Sequence, residues 1–141
     1  MKGQSSLELL VTFGIVLAFT VPVVFLLLSI TSAGYESTAK SQADASARAL
    51  AETMDVVYSQ GPGAAREVLL NVPAATQSIE AKPGTIGGEI VVSITTSGGT
   101  YEAAAPTIAH ISGVTIGKKS GLVTLDVINN GGEVVLREPT P

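Results

Sequence analysis

Glu8 is the residue near the start of the chain whose type and position could do chemistry. It is followed by 22 residues without a charged side chain, from Leu9 to Ile30. A carboxylate beside such a segment is costly to insert into lipid, by about 2.5–3.5 kcal/mol at a helix centre and less near the interface. We therefore expect Glu8 to pair with an ammonium group. The alternative is that it only lies in the headgroup layer, near the positive end of its own helix dipole.

Residue types that carry catalysis do not form a recognisable site. His110 is the only histidine, and it lies in the apolar stretch Ile108–Ile111, without a neighbouring nucleophile or metal-ligand spacing. We expect it to be structural or exposed. The segment Gly84–Gly88 lacks the lysine and the serine or threonine of a P-loop, so it predicts a turn. We expect no enzyme activity, no metal site and no cofactor.

Composition limits the remaining classes of function. The 141 residues have a net charge of −4, with eight scattered basic residues and no cysteine. Disulfides and cysteine-ligated metals are excluded, and a nucleic-acid surface is not expected. Once the apolar segment is set aside, there is material for one modest soluble domain.

The apolar segment Leu9–Ile30 is long enough to span a bilayer. As a helix it measures about 33 Å at about 1.5 Å per residue, compared with a hydrocarbon core of about 30 Å. Lys2 precedes it, and Lys40 and Arg48 come only well after it. This distribution predicts a single-pass membrane precursor with its N-terminus in the cytoplasm.

The residues around Glu8 resemble a known processing signal. Gln4-Ser5-Ser6-Leu7-Glu8 follows a basic leader and precedes the apolar run. It is similar to the Q-x-S-x-E class III signal of archaeal type IV pilin-like proteins, with Gln4, Ser6 and Glu8 as the motif residues. The resemblance covers residues 1–30. It implies that a prepilin peptidase cleaves between Gly3 and Gln4 and removes residues 1–3 as a leader.

The same resemblance implies a function and a set of partners. The mature protein would be an extracellular subunit of a surface filament, a helical homopolymer whose apolar helices bundle, serving adhesion or cell–cell contact. Glu8 would meet the new N-terminus of an adjacent subunit and set the axial register. The implied partners are the prepilin peptidase, a pilus assembly ATPase, a membrane platform protein and, before assembly, membrane lipid.

Gly14 and Pro22 interrupt the apolar run. Gly14 allows close approach between helices, and Pro22 removes one backbone hydrogen bond, so it predicts a kink or local melting. We expect both to act in assembly. The alternative is tolerance, because glycine and proline are commoner in membrane helices than in soluble ones.

The predicted helix covers residues 4–60, apolar over 4–30 and amphipathic over 31–60. Thr31–Gly34 predicts a flexible joint, and Gly61-Pro62-Gly63 predicts the end of the helix. An apolar stripe with helical spacing should pack under the following domain, with room for a partner at its alanine end. Its members are Ala39, Ala43, Ala47, Leu50, Met54 and Val57. Lys40, Asp44, Arg48 and Glu52 predict an exposed ladder of i, i+4 charges.

Residues 61–141 predict a β-domain, because the apolar period changes towards two. The predicted membrane topology makes this domain extracellular. Ser97-Gly98-Gly99 and Asn129–Gly132 predict tight hairpin turns. The fold class is therefore α+β, a long helix followed by a small antiparallel sandwich or open barrel. Val123, Leu125, Val127, Val134 and Leu136 are the predicted core residues. The predicted strands are 67–72, 77–82, 89–96, 100–104, 107–111, 122–128 and 133–137.

Two other interpretations stay open. An uncleaved signal anchor would hold a monomeric extracellular β-domain to the membrane as a binding module. Cleavage after Thr31-Ser32-Ala33 would instead release a soluble domain that begins at Gly34, although the apolar run is longer than a typical secretory signal. The mature N-terminal residue separates them: Gln4 for the filament, Met1 for the anchor, Gly34 for the secreted domain.

Overall fold

The computed structural model describes residues 2–139, apart from the side chain of Lys2. One helix, α1 (Lys2–Gln60), precedes seven strands. The described residues up to Tyr35 and those from Glu36 onward form two compact units. Met1 of the predicted leader, and Thr140 and Pro141 of the predicted β-domain, lie outside the described residues.

The residues of the predicted joint, Thr31–Gly34, are helical. The hydroxyl groups of Thr31 and Ser32 donate to the carbonyl oxygens of Leu27 and Leu28, at 2.8 and 3.0 Å. Such bonds to the preceding turn are compatible with a helix. The predicted end of the helix is confirmed, since α1 ends at Gln60 and Gly61 has a φ of 90°.

The predicted apolar stripe forms the helical side of the core. Ala43, Ala47, Leu50, Met54 and Val57 are at most 1 % exposed, and Ala39 is half-buried. Ala43 and Ala47 belong to the same core cluster as the strands. The predicted room for a partner at the alanine end of the stripe is therefore occupied by the chain's own β-domain. Residues 36–60 therefore belong to the same core as the strands.

The predicted ladder of charges on α1 is wrong at its first two residues. The hydroxyl of Tyr101 donates to the carboxylate of Asp44, at 3.1 and 3.2 Å from its two oxygens. The Nζ atom of Lys40 lies 5.5 Å from the centre of the Tyr101 ring. Both side chains thus turn towards the strands, whereas Arg48 and Glu52 are exposed, as predicted.

The strands form two antiparallel sheets. Sheet A has the order β1-β6-β7, and sheet B has the order β4-β3-β2-β5. The bounds are β1 (Ala65–Val72), β2 (Thr76–Pro83), β3 (Gly88–Thr96), β4 (Gly99–Thr107), β5 (Val114–Ile116), β6 (Gly121–Asn130) and β7 (Glu133–Arg137). The α+β fold is confirmed.

The predicted strand 107–111 is wrong. Thr107 is the last residue of β4, and the chain bends directly after it. The bend is held by Asp55 of α1, whose carboxylate accepts hydrogen bonds from the Thr107 hydroxyl and, at 2.9 Å, from the Ile108 N–H. The short strand β5 was not predicted, because three residues are too few for a periodic signal.

The segment that follows this bend links the two sheets. Ile111 forms an isolated parallel bridge with Val134 of β7. The Val134 N–H donates to the His110 carbonyl (2.7 Å), and the Ser112 N–H donates to the Val134 carbonyl (3.0 Å). Since the chain then enters β5 of sheet B, one stretch contacts both sheets.

Both predicted hairpins are confirmed. Thr96 pairs with Gly99, and Asn130 pairs with Glu133. Gly131 and Gly132 have φ values of 71° and 100°, as a two-residue turn with two left-handed positions requires. The predicted turn near Gly84–Gly88 joins β2 to β3.

The core residues predicted in β6 and β7 are confirmed with one exception. Leu125, Val127, Val134 and Leu136 are buried, whereas Val123 is half-buried at the edge of the core. The core is one cluster of side chains from α1 and from both sheets.

Candidate functional site

The predicted processing motif lies in the first turns of α1. Gly3 and Gln4 are helical, and the side chains of Gln4, Ser6 and Glu8 are exposed. Gln4 and Glu8 are one helical turn apart, so they share a face, whereas Ser6 points elsewhere. The N–H groups of a first helical turn have no partner within the helix. The Gly3–Gln4 peptide therefore lies in a turn that is held by fewer helical hydrogen bonds than the interior of α1.

The apolar run that follows the motif is uncovered. Its large apolar side chains, from Leu7 to Ile30, are 44–75 % exposed. The apolar residues lie on all sides of the helix, so no polar face is available to water. By length and composition, this helix could span a membrane.

Four hydroxyl groups in and beside the run bond to the helix itself. Each donates to the backbone carbonyl one turn earlier, so it needs no water as an acceptor. The donors and acceptors are Thr12 and Glu8 (2.8 Å), Ser29 and Phe25 (3.0 Å), Thr31 and Leu27 (2.8 Å), and Ser32 and Leu28 (3.0 Å). These side chains are compatible with a surrounding of lipid or of other helices.

Gly14 and Pro22 occupy open positions on this helix. A Cβ atom at Gly14 would meet no neighbouring atom within 4 Å, so the described structure does not itself require glycine there. The helix continues through Pro22 without a break. Proline has no N–H, so the Ala18 carbonyl lacks its usual helical donor.

Three carboxylates of α1 anchor the helix to sheet B; the sequence predicted Asp44 only as an exposed charge and gave Glu36 and Asp55 no role. Glu36 accepts the backbone N–H of Ser97 at 2.7 Å, Asp44 accepts the Tyr101 hydroxyl, and Asp55 binds Thr107 and Ile108. Their spacings of eight and eleven residues are close to two and three turns, so they share one side of α1. That spacing beside the apolar stripe is the signal that could have revealed them.

Two of these contacts shift the pKa of a side chain. Hydrogen bonding from Ser97, by its side chain and by its backbone N–H, lowers the pKa of Glu36 from its ordinary value of 4.5. The hydrogen bond to Asp44 raises the pKa of Tyr101 above its ordinary value of 10.0. Each shift favours the protonation state that makes the contact.

His110 is exposed, and its ring makes an edge-on contact with Tyr58, with 5.9 Å between ring centroids. Across residues 2–139, no three His, Cys, Asp or Glu side chains are grouped so that they could hold a metal ion.

No protein-family model, curated protein or solved structure matches this chain. Its architecture, a long N-terminal apolar helix followed by an antiparallel β-domain, is compatible with that of type IV pilin-like proteins.

Proposed function

We propose that the chain is the structural, non-enzymatic subunit of an archaeal type IV pilus-like surface filament. The observation that carries this proposal is the uncovered apolar run of α1 directly behind the motif of Gln4, Ser6 and Glu8. Filament growth needs a segment that is stable in lipid before assembly and among copies of itself afterwards.

The size of the exposed run supports this requirement. Each large apolar side chain left in water costs about 1.5–3 kcal/mol, so the whole run costs on the order of tens of kcal/mol. A typical domain has only about 5–15 kcal/mol of net stability. Lipid or other helices must therefore cover Leu7–Ile30.

Glu8 distinguishes a self-assembling helix from a simple anchor. Cleavage before Gln4 by a prepilin peptidase would remove residues 1–3 and create an ammonium group one helical turn from the carboxylate. In the filament, Glu8 pairs with the ammonium of an adjacent copy and sets the register between subunits. Gly14 allows close packing of the bundled helices, and Pro22 provides a point of adjustment.

The remaining parts of the chain follow from this role. The N-terminus of the precursor faces the cytoplasm, and a pilus assembly ATPase and a membrane platform protein drive its extraction from lipid. In the filament the β-domain lies outside, where it serves adhesion or cell–cell contact.

The mature N-terminus tests the proposal. Mass spectrometry of protein sheared from cells is expected to identify Gln4 as the first residue, and negative-stain microscopy of the same material is expected to show filaments. A mature chain that keeps Met1 and stays monomeric would instead support an anchored β-domain that acts as a binding module. A chain that begins at Gly34 would indicate a secreted domain.

The role of Glu8 is tested separately. Glu8→Leu is expected to leave the membrane segment intact but to abolish filaments. The matched control is Ser5→Ala, which changes a neighbouring position outside the motif and should assemble normally. If Glu8→Leu subunits are processed and still form normal filaments, Glu8 does not set the register.

A further inference from the structure

The hairpin between β3 and β4 is bound to the part of α1 that follows the apolar run. The Ser97 N–H donates to the carboxylate of Glu36 at 2.7 Å. The hydroxyl of Tyr101, next to the same turn, donates to the carboxylate of Asp44. Both carboxylates are therefore already hydrogen-bonded, and they hold the end of the hairpin on α1. We refer to residues 96–100 as the hairpin tip.

Only a short piece of chain separates the hairpin tip from the apolar run. Glu36 follows Ile30 by six residues, and this stretch is helical, so it rises about 9 Å at about 1.5 Å per residue. The headgroup region on each side of a bilayer core is about 5–8 Å thick. With Leu9–Ile30 in the hydrocarbon core, Glu36 and the Ser97 bound to it thus come at the outer edge of the headgroup region.

The hairpin tip carries no charged side chain. Residues 95–101 are Thr-Thr-Ser-Gly-Gly-Thr-Tyr, and the exposed residues 97–100 offer only hydroxyl and backbone groups. Hydroxyl groups can bond to headgroup oxygens, whereas an ionised side chain loses favourable hydration near lipid. At the other end of β3, the exposed residues Lys82 and Glu89 are partners across β2 and β3. The end of the sheet that is bound to Glu36 is therefore the end whose turn suits a lipid surface.

Tyr35 supports lipid as the partner. It directly precedes Glu36 and is 75 % exposed. Tyrosine is enriched where a membrane meets water, because its ring is apolar and its hydroxyl is polar. An exposed tyrosine five residues after Ile30 therefore marks this level of the chain as interfacial.

We propose that, in the membrane precursor, the hairpin tip contacts the lipid headgroups on the outer face of the bilayer. This inference rests on the proposed function, because it requires Leu9–Ile30 to span the membrane. It adds a second membrane contact, from the β-domain, to that of the apolar helix. The contact orients the β-domain before assembly and is lost when the subunit enters the filament.

Fluorescence quenching tests this contact in the full-length precursor. The natural chain has no cysteine, so one introduced cysteine carries the fluorophore. The test variant is Gly98→Cys, at a position without a positive φ where the nearest atom to an added Cβ is 4.0 Å away. Ser37→Cys labels an exposed position of α1 beside Glu36, and Ile86→Cys labels the exposed turn at the opposite end of β3. Each variant is reconstituted into phosphatidylcholine vesicles that carry a nitroxide quencher on the headgroup.

The expected result is a loss of fluorescence from Gly98→Cys and from Ser37→Cys, and no loss from Ile86→Cys. Quenching of Ser37→Cys without quenching of Gly98→Cys would overturn the contact of the hairpin tip and leave the proposed function standing. Equal quenching of Gly98→Cys and Ile86→Cys would do the same, because the contact would not be specific to the tip. No quenching of Ser37→Cys would show that the apolar run does not span the bilayer and would overturn both proposals.

Discussion

The carboxylate of Glu36 lies 2.7 Å from the backbone nitrogen of Ser97 and accepts its hydrogen bond, which ties α1 to the tip of the β3–β4 hairpin. Lys40 is the other charged group that acts on this carboxylate, and it also lowers the pKa. The pKa of Glu36 in the folded state is thus below its ordinary value of 4.5.

This contact predicts an acid-dependent loosening of the hairpin tip. A lowered pKa in the folded state contributes stability above the unfolded-state value, and that contribution is lost as the pH falls through the folded-state value. The Ser97 amide is therefore expected to exchange faster with solvent as the pH falls below 4.5, after correction for intrinsic exchange. The measurement is hydrogen exchange of the full chain in detergent. Glu36→Gln should remove the pH dependence, and an unchanged dependence in that variant would contradict the assignment.

Asp55→Ala is expected to destabilise the β-domain by about 1–3 kcal/mol, because it leaves the half-buried end of β4 without its acceptor. Asp55 accepts hydrogen bonds from both the Thr107 hydroxyl and the Ile108 N–H. Urea unfolding in detergent measures the change. Glu52→Ala, at an exposed position of the same helix, should change stability by less than about 0.5 kcal/mol. Equal effects of the two variants would show that the Asp55 contacts contribute nothing.

Asn129 forms a further anchor between α1 and the strands, at the C-terminus of α1. Its side-chain amide donates to the carbonyl groups of Val57 and Tyr58 at 3.3 and 3.4 Å, and its Oδ1 atom accepts the Gly132 N–H at 2.8 Å. Carbonyl groups of a last helical turn lack the usual helical donors, and the Tyr58 carbonyl also accepts the Gly61 N–H at 3.1 Å. Asn129→Ala is expected to cost about 1–3 kcal/mol, measured as a lower thermal midpoint.

The control for this prediction is Asn130→Ala, in the same turn. Asn130 is exposed, whereas Asn129 is only 1 % exposed. A fall in the thermal midpoint of the same size in both variants would indicate a general effect on the turn rather than the loss of a helix cap.

Gly87→Ala is expected to destabilise the chain by more than about 1 kcal/mol, because the position combines a positive φ with a steric conflict at the Thr107 carbonyl. Gly98→Ala is the matched control in another hairpin turn, where the nearest atom to an added Cβ is 4.0 Å away. Denaturant unfolding compares the two. A neutral Gly87→Ala variant would mean that the turn between β2 and β3 is not held against β4.

Much of the fold could be predicted from local signals. Some features depend only on residues that are close together in the chain. They are the apolar run from Leu9 to Ile30, the stripe through Leu50 and Met54, and the glycine-containing turns. Helical or alternating periodicity and turn chemistry act over short stretches, so six strands and most of the core residues of α1, β6 and β7 were predictable. The motif of Gln4, Ser6 and Glu8 stays a prediction, which rests on the spacing of these residues and on the adjoining apolar run.

The parts that were missed depend on residues that are distant in the chain. The predicted strand 107–111 ends at Thr107 because Asp55, 52 residues earlier, holds the bend. The side chains of Lys40 and Asp44 contact Tyr101 of β4. Their i, i+4 spacing had predicted an exposed ladder of charges along α1. The helical spacing of Glu36, Asp44 and Asp55 marks one side of α1, but it does not identify the strand residues that they bind.

The sequence by itself determined that this protein has an uncovered apolar helix with a carboxylate at its head, an amphipathic continuation and an antiparallel β-domain, because each follows from the order of neighbouring side chains. Only the tertiary structure decided which polar side chains of α1 hold the strands, and how closely Gly87 approaches the end of β4 at Thr107. Those relationships arise when the burial of one common core brings α1 and the two sheets together, and neighbouring residues do not specify that arrangement.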